Sequence, residues 1–307
     1  EDAVGEIGAD IEHQIASNAI TNTYRFYGDG KTPINNYSDL SVALSQFRNY
    51  GMPKSDTNFY VSDIAVPNLV NTAVQQFVPT RNEEMANSWN LGTYDECDFY
   101  RSNLLNTHIA GNVGNNNTTL TVTSVVRNAQ GQIITINCSG ASASDANAIF
   151  ENDKAVFNDG VSGKPDLRYL TWQGHKPSQV PVQVRITAAA PADGGGNVSL
   201  NIYPPLQAAS GGDQNLNTDV QVGMQLSVLP SHRAGLITAG KPLFVAMPKL
   251  PDQYPYPTGN MYDDTMGIST RLYSGWLYGK NTGGTTYDVI WGSTMENEYA
   301  MMVAFPI

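Results

Sequence analysis

Apolar positions in this chain follow two periods, and the change between them divides the sequence. Val4, Ile7, Ile11 and Ile15 recur at steps of three and four, the spacing of one helix face. Asp, Glu, Gln and His fill the other faces, so the stripe over residues 1–23 is narrow. It predicts a rod lying on a surface rather than inside a core, about 33 Å long at 1.5 Å per residue. YGDGKTP at 27–33 is a loop. NYSDLSVALSQFRNYG then puts Leu40, Ala43, Leu44 and Phe47 on one face. Ser38 or Asp39 is the N-cap, and Gly51 is the C′ residue ahead of Pro53. NFYVS at 58–62 reads as a strand, and DIAVPNLVNTAVQQF at 63–77 as a second helix with Pro67 in its first turn. Residues 33–113 therefore alternate helix and strand.

Past Gly111 the period drops to two. TTLTVTSVV, GQIITINC, KAVF, RYLTWQ, VPVQVRITA, NVSLNIY and VGMQLSVLP are short strands separated by turns such as ADGGGN. Val180, Val182, Val184 and Ile186 alternate with Gln183, Arg185 and Thr187, and Val198, Leu200 and Ile202 with Ser199 and Asn201. Residues 114–235 predict an all-β barrel or sandwich with its own core, inserted into the first domain. KPLFVAMPKL follows as an apolar strand, and PDQYPYPTGNMYDD as a Pro/Tyr loop without regular structure. STRLYSGWLYG, TYDVIWG and EYAMMVAFP predict an antiparallel meander that receives the rod. The expected class is α+β, in segments 1–32, 33–113, 114–235, 236–266 and 267–307.

Composition narrows the function. Of 307 residues, 41% are hydrophobic and only 15% charged, so the surface is built mostly from Asn, Ser, Thr, Gln and Gly. Such a surface suits a protein packed against neighbours. A net charge of −11 without a Lys/Arg cluster argues against sequence-driven nucleic-acid binding. Apolar runs are too short for a membrane-spanning helix. Cys97 and Cys138 have no metal spacing; two thiols are expected, with a bridge left open. EDAVGEIG opens inside a helix without an initiator Met, so a processed or incomplete N-terminus is expected.

The densest chemistry is DECDFYRSNLLNTHIAGN at 95–112. On a strand Asp98 and Tyr100 share one face and Phe99 and Arg101 the other. An Asp98–His108 pair would need a hairpin, and no nucleophile elbow is near. His108 is expected to bond backbone where the chain leaves for the insertion. His175, with Lys164 and Asp166, reads as a charged surface loop. Asp252, Asp263 and Asp264 lack calcium-loop spacing, and no glycine cluster sits in a phosphate-binding context. Trp276, Tyr278, Tyr287 and Trp291 fit meander packing or a sugar-binding stripe. Neither catalysis, metal nor cofactor is expected. The competing readings are a carbohydrate-binding or tail-adhesion β module, and a hydrolase using His108 or His175.

The order of these parts carries a resemblance. Phe99, Tyr100, Arg101, Ser102 and Asn103, then Thr107, His108, Ala110 and Gly111, close the segment before the insertion. AIFENDKAVF follows inside it, with Asn152 where a glycine is usual; NVSLNIYPPL closes it, and RLYSGWLYGK comes near the end. This resembles the major capsid proteins of tailed double-stranded-DNA phages of the P-twenty-two type, which carry an inserted domain on the Hong Kong ninety-seven fold. The resemblance implies a long spine helix with a peripheral meander, an axial layer from 33–113 and 236–250, and an inserted β-barrel. It also implies a non-enzymatic subunit that forms the hexamers and pentamers of a virion capsid. The shell would assemble in the bacterial cytoplasm with scaffolding and portal proteins, away from membranes, and enclose DNA without sequence-specific binding. A loop of the inserted domain would touch neighbouring capsomers, with Lys164, Asp166, Arg168 and Lys176 as candidates. Shell maturation would use hinges at Gly28 and Gly30 and around Pro248 and Pro251.

Overall fold

The computed structural model describes residues 2–34, 37–52, 56–63, 90–94, 96–171, 174–209, 213–251, 258–263, 268–276 and 283–307. The α+β capsid fold expected from the resemblance is not the fold found. The described residues are mostly β, 43% strand against 16% helix, and among them the long spine helix of that fold is not found. Among the described residues there are three α-helices. The longest, α1 (Asp2–Asn22), has 21 residues. The narrow stripe explains why it is no spine: of its described side chains Ile11, Ala19 and Ile20 are the buried hydrophobics. Period-two segments outnumber helical ones, and they set the class.

Contacts divide the chain into two compact units. The larger comprises Ala16–Pro242 and Asn297–Ile307. Its seven-stranded sheet uses β1 (Phe26–Tyr27), β2 (Thr57–Ser62), β3 (Asn90–Tyr94), β4 (Cys97–Ser102), β5 (Thr107–His108), β14 (His232–Ala239) and β20 (Ala300–Phe305). The order is β1-β20-β14-β2-β4-β3, with β5 also on β14. All six residues of β20 are buried. The sequence pattern had assigned EYAMMVAFP to the terminal meander; instead β20 runs between β1 and β14. Its unbroken apolar run marks a strand covered on both faces, where a meander strand alternates. Against this sheet's core lies α2 (Tyr37–Asn49), with Leu40, Ala43, Leu44 and Phe47 fully buried, as the stripe predicts. Gly51 has φ +95° and closes the helix at the expected position. Beyond Asp63, the helix expected over 63–77 lies outside the described residues.

A short helix, α3 (Asn112–Asn115), leads into a closed six-stranded barrel. It is formed by β6 (Thr119–Arg127), β7 (Ile133–Ser139), β8 (Lys154–Phe157), β11 (Gln183–Ile186), β12 (Asn197–Leu206) and β13 (Gln225–Val228), in the order β11-β12-β7-β6-β13-β8. Along β12 Val198, Leu200 and Ile202 are buried while Ser199 and Asn201 are exposed, the alternation that a one-sided core requires. VPVQVRITA does not form one strand. It breaks at Val182 between β10 (Pro177–Pro181), which pairs with β9 (Arg168–Leu170), and barrel strand β11. Cys97 and Cys138 are buried and not joined by a disulfide.

The smaller unit comprises Glu1–Ile15 and Leu243–Glu296. It holds a two-stranded ribbon of β15 (Leu243–Ala246) with β19 (Gly292–Met295). It also holds a three-stranded meander of β16 (Thr258–Asp263), β17 (Ile268–Trp276) and β18 (Gly283–Asp288). TGNMYD, expected in the Pro/Tyr loop, is β16: pairing from Thr258↔Tyr273 to Asp263↔Ile268 imposes a strand that local composition did not announce. Among the described side chains of Leu243–Glu296, Thr270 alone is buried.

Candidate functional site

Where the chain leaves the seven-stranded sheet for the barrel, β5 pairs with β14 and sets His108 opposite His232. His108 meets the turn before β8. Asn152 there takes a φ of +70°, a left-handed conformation that Asn tolerates. The turn sends Asp153 inward, where it is completely buried. Its Oδ2 accepts from the backbone N–H of Gly111 at 3.1 Å and of Phe150 at 2.8 Å, and its Oδ1 lies 2.7 Å from His108 Nε2. Asp153 thus ties the exit strand, Gly111 three residues beyond its end and its own turn to one point. His232 is equally buried. Its Nδ1 lies 2.7 Å from the Pro230 carbonyl, which only accepts, so Nδ1 bears the proton and Nε2 turns its lone pair to Met302 Sδ at 3.3 Å. Burial pushes His232 down to about 3, with the neighbouring His108 and Lys154 adding to the effect.

The next residue, Lys154, is 3% exposed. Its Nζ donates to the Ile20 carbonyl in the last turn of α1 at 3.2 Å. Arg185, its partner across β8 and β11, donates to Thr21 O at 3.3 Å and Asn22 Oδ1 at 2.8 Å. Two basic side chains therefore meet the carbonyl end of α1, where the helix dipole is negative. Burial lowers Lys154 to about 7, Arg185 acting in the same direction and Asp153 against it. Beside it a pocket of about 150 Å³ is lined by Ser17, Thr21, Asn106, His108, Asn152 and Lys154, among others.

A second joint fixes the barrel to the edge of the sheet. Gln183 Oε1 accepts from Phe26 N at 2.8 Å, and its Nε2 donates to Phe26 O at 2.6 Å. One side-chain amide thus pairs with β1 as another strand would. Arg25, buried next to it, donates to Glu298 O at 2.7 Å and lies 4.3 Å from the centre of the Tyr50 ring.

The charged loop looks different. Arg168 donates to both carboxylate oxygens of Asp159 and lies 3.5 Å from Asp166, and Asp166 Oδ1 accepts from Gly160 N at 3.0 Å. These two candidate contact residues are engaged within the loop. Lys164 is half-buried and Lys176 exposed, and neither ammonium has a side-chain partner among the described residues. His175 is exposed with a φ of +47°. Gly28 and Gly30, the candidate hinges, sit in a turn where Asp29 accepts from Lys31 N, Thr32 N and Thr32 Oγ1. A Cβ on Gly28 would lie 2.8 Å from Ala304 O. Pro248 and Pro251 are exposed in the smaller unit, where Pro251 O accepts from Arg271 at 2.9 Å. Of the suggested calcium residues and aromatic stripe, Asp252, Asp264 and Tyr278 and the side chains of Asp263 and Trp276 lie outside the described residues. Among the described residues no three His, Cys, Asp or Glu side chains are placed to hold a metal, and no helix is long and apolar enough to cross a membrane. No family model and no curated protein matches the chain.

Sequence reasoning found His108 but gave it a backbone partner, and it missed Asp153, Lys154 and His232. The partner stands 45 residues away. Its one local signal was ENDK, an acid and a lysine directly after a left-handed Asn and directly before an apolar strand.

Proposed function

We propose that this chain is a structural subunit that assembles with copies of itself, as the major capsid protein of a tailed double-stranded-DNA phage. The capsid assignment comes from the ordered sequence motifs and not from the fold class. The observation that carries self-association is the smaller unit. Between Leu243 and Glu296 five strands form two sheets, and no described hydrophobic side chain there is buried. Phe244 is 54% exposed and Tyr262 64%. Two- and three-stranded sheets whose described hydrophobic side chains are all at least partly exposed have little of the apolar burial that offsets ordering. Exposed apolar clusters mark interaction sites, and a second copy of the chain supplies the cover.

The larger unit serves the same role differently. The closed barrel leaves no free strand edge. It is joined to the sheet through Asp153 and Gln183, and to the end of α1 through Lys154 and Arg185, so it moves with that sheet and presents its loops in fixed register. Of the four candidate contact residues, Lys164 and Lys176 are the ones left to reach a neighbour. Such rim charges set registry more than affinity, typically under about 1 kcal/mol each. A net charge of −11 suits a wall that confines packaged DNA without gripping it. Purified chain, alone and with a scaffolding partner, is examined by sedimentation and negative-stain microscopy. Closed particles of megadalton mass are expected; a monomer at every concentration and condition overturns the proposal.

A further inference from the structure

We infer that Lys154 is a covalent modification site, taking a small aldehyde or ketone of a few heavy atoms from the pocket beside it. Three observations converge there. The ammonium has one acceptor among the described residues, the Ile20 carbonyl at 3.2 Å, although it carries three donors. Its side chain forms part of the wall of a cavity of about 150 Å³, enough for a few heavy atoms. Its surroundings disfavour charge: burial and Arg185 lower it to about 7, so a large share is free amine at neutral pH.

The groups facing Lys154 are Arg185 from β11, Asp153 from the turn before β8, and His108 and His232 from β5 and β14. Ser17 and Thr21 of α1 bring hydroxyls to the pocket without charge. Asp153 favours the ammonium, while Arg185 opposes it. In the reaction the neutral amine attacks the carbonyl carbon, a C–N bond forms and the C=O π pair moves to oxygen. One amine proton passes through water to that oxygen to give the carbinolamine; the second follows as the C–O bond breaks, so water leaves and the imine remains. Nothing is oxidised or reduced. The imine nitrogen has no hydrogen left to donate to the Ile20 carbonyl in the last turn of α1, so modification would also release that helix end from β8.

The test uses native chain without any substitution. Formaldehyde with cyanoborohydride, the latter reducing each imine to a stable amine, is applied in brief pulses from pH 6 to 9, and peptide masses give the rate at each lysine. Exposed Lys31 and Lys241 are internal references. An ordinary lysine, near 10.4, is almost wholly charged at neutral pH, so Lys154 is expected to label about tenfold faster or more. Its rate should level off just above pH 7, while the references still rise at pH 9. In urea the advantage should vanish. Native labelling of Lys154 no faster than Lys31, or a rate still climbing at pH 9, overturns the inference.

Discussion

Asp153 gathers two backbone N–H groups and a histidine where water does not reach. Asp153→Ala leaves both N–H groups unpaired in the interior. The expected loss is about 2–5 kcal/mol, read as a lower urea midpoint. His232 gives a pH dependence whose sign follows from its neighbours. Folded, it binds a proton only near pH 3; unfolded, it does so near 6.5. Between those values the unfolded chain holds more protons, so stability is fully present above about 6.5 and falls as pH drops toward 3. Lys154 has the same sign in a higher window, folded near 7 against 10.5 unfolded. Its contribution rises from pH 7 upward. Buried Tyr24 and Tyr50, pushed up by burial, act oppositely from about pH 10. Urea midpoints should therefore climb between pH 7 and 9 and decline below 6. His232→Gln, which keeps a donor for the Pro230 carbonyl, should flatten the acid limb. An unchanged acid limb in that variant would remove His232 from the account.

Gln183 and Gly111 show how segments far apart in the chain are fastened. At the open edge of β1, Gln183 supplies both an acceptor and a donor to Phe26. Gln183→Leu keeps the volume and strips both bonds, leaving the Phe26 N–H buried and unpaired, for about 2–3 kcal/mol. Hydrogen exchange should show the Phe26 amide losing protection while the amides of β12 keep theirs. Gly111 sits at the crossing into the barrel, where an added Cβ would lie 2.5 Å from Ala148 O and 2.7 Å from Ile149 Cα. Gly111→Ala must displace backbone, and a lower melting temperature with slower refolding is expected. These joints also mark what sequence reasoning reached. The stripe of α2 and the alternation of β12 are local patterns, each stated within a dozen residues, and both were legible. Gln183 was placed among outward-facing polar residues because period two assigns faces without knowing what lies beyond each face. The position of β20 and the Asp153–His108 pair depend on contacts far apart in sequence, and no periodicity reports them. The spine helix was overcalled for a related reason: four isoleucines and valines at helical spacing fix a helix, but not the surface it rests on.

Subunit and assembly part company in the smaller unit, and one substitution separates them. Leu243, Phe244 and Val245 lie 36%, 54% and 46% exposed along β15, which pairs with β19 on one side. Successive side chains point to opposite faces of a strand, so Leu243 and Val245 crowd one face and Phe244 the other. A ribbon apolar on both faces has the pattern of a strand covered on both sides, and β19 covers neither face. Phe244→Asp puts a charge where a second copy is proposed to pack. None of the residues of the two buried hydrophobic clusters comes from this ribbon, so the substitution leaves the core of the larger unit intact. Thermal unfolding of isolated subunits should therefore match the parent within about 0.5 kcal/mol, as exposed substitutions usually do. Particle yield in the same preparation should fall at least tenfold, because an unpaired charge in a desolvated contact is unfavourable by several kcal/mol. Loss of folding with loss of particles would assign the ribbon to the fold of the single chain. Normal particles built from the variant would place the contact between copies elsewhere, with the Lys164 and Lys176 loop next to be tested by charge reversal.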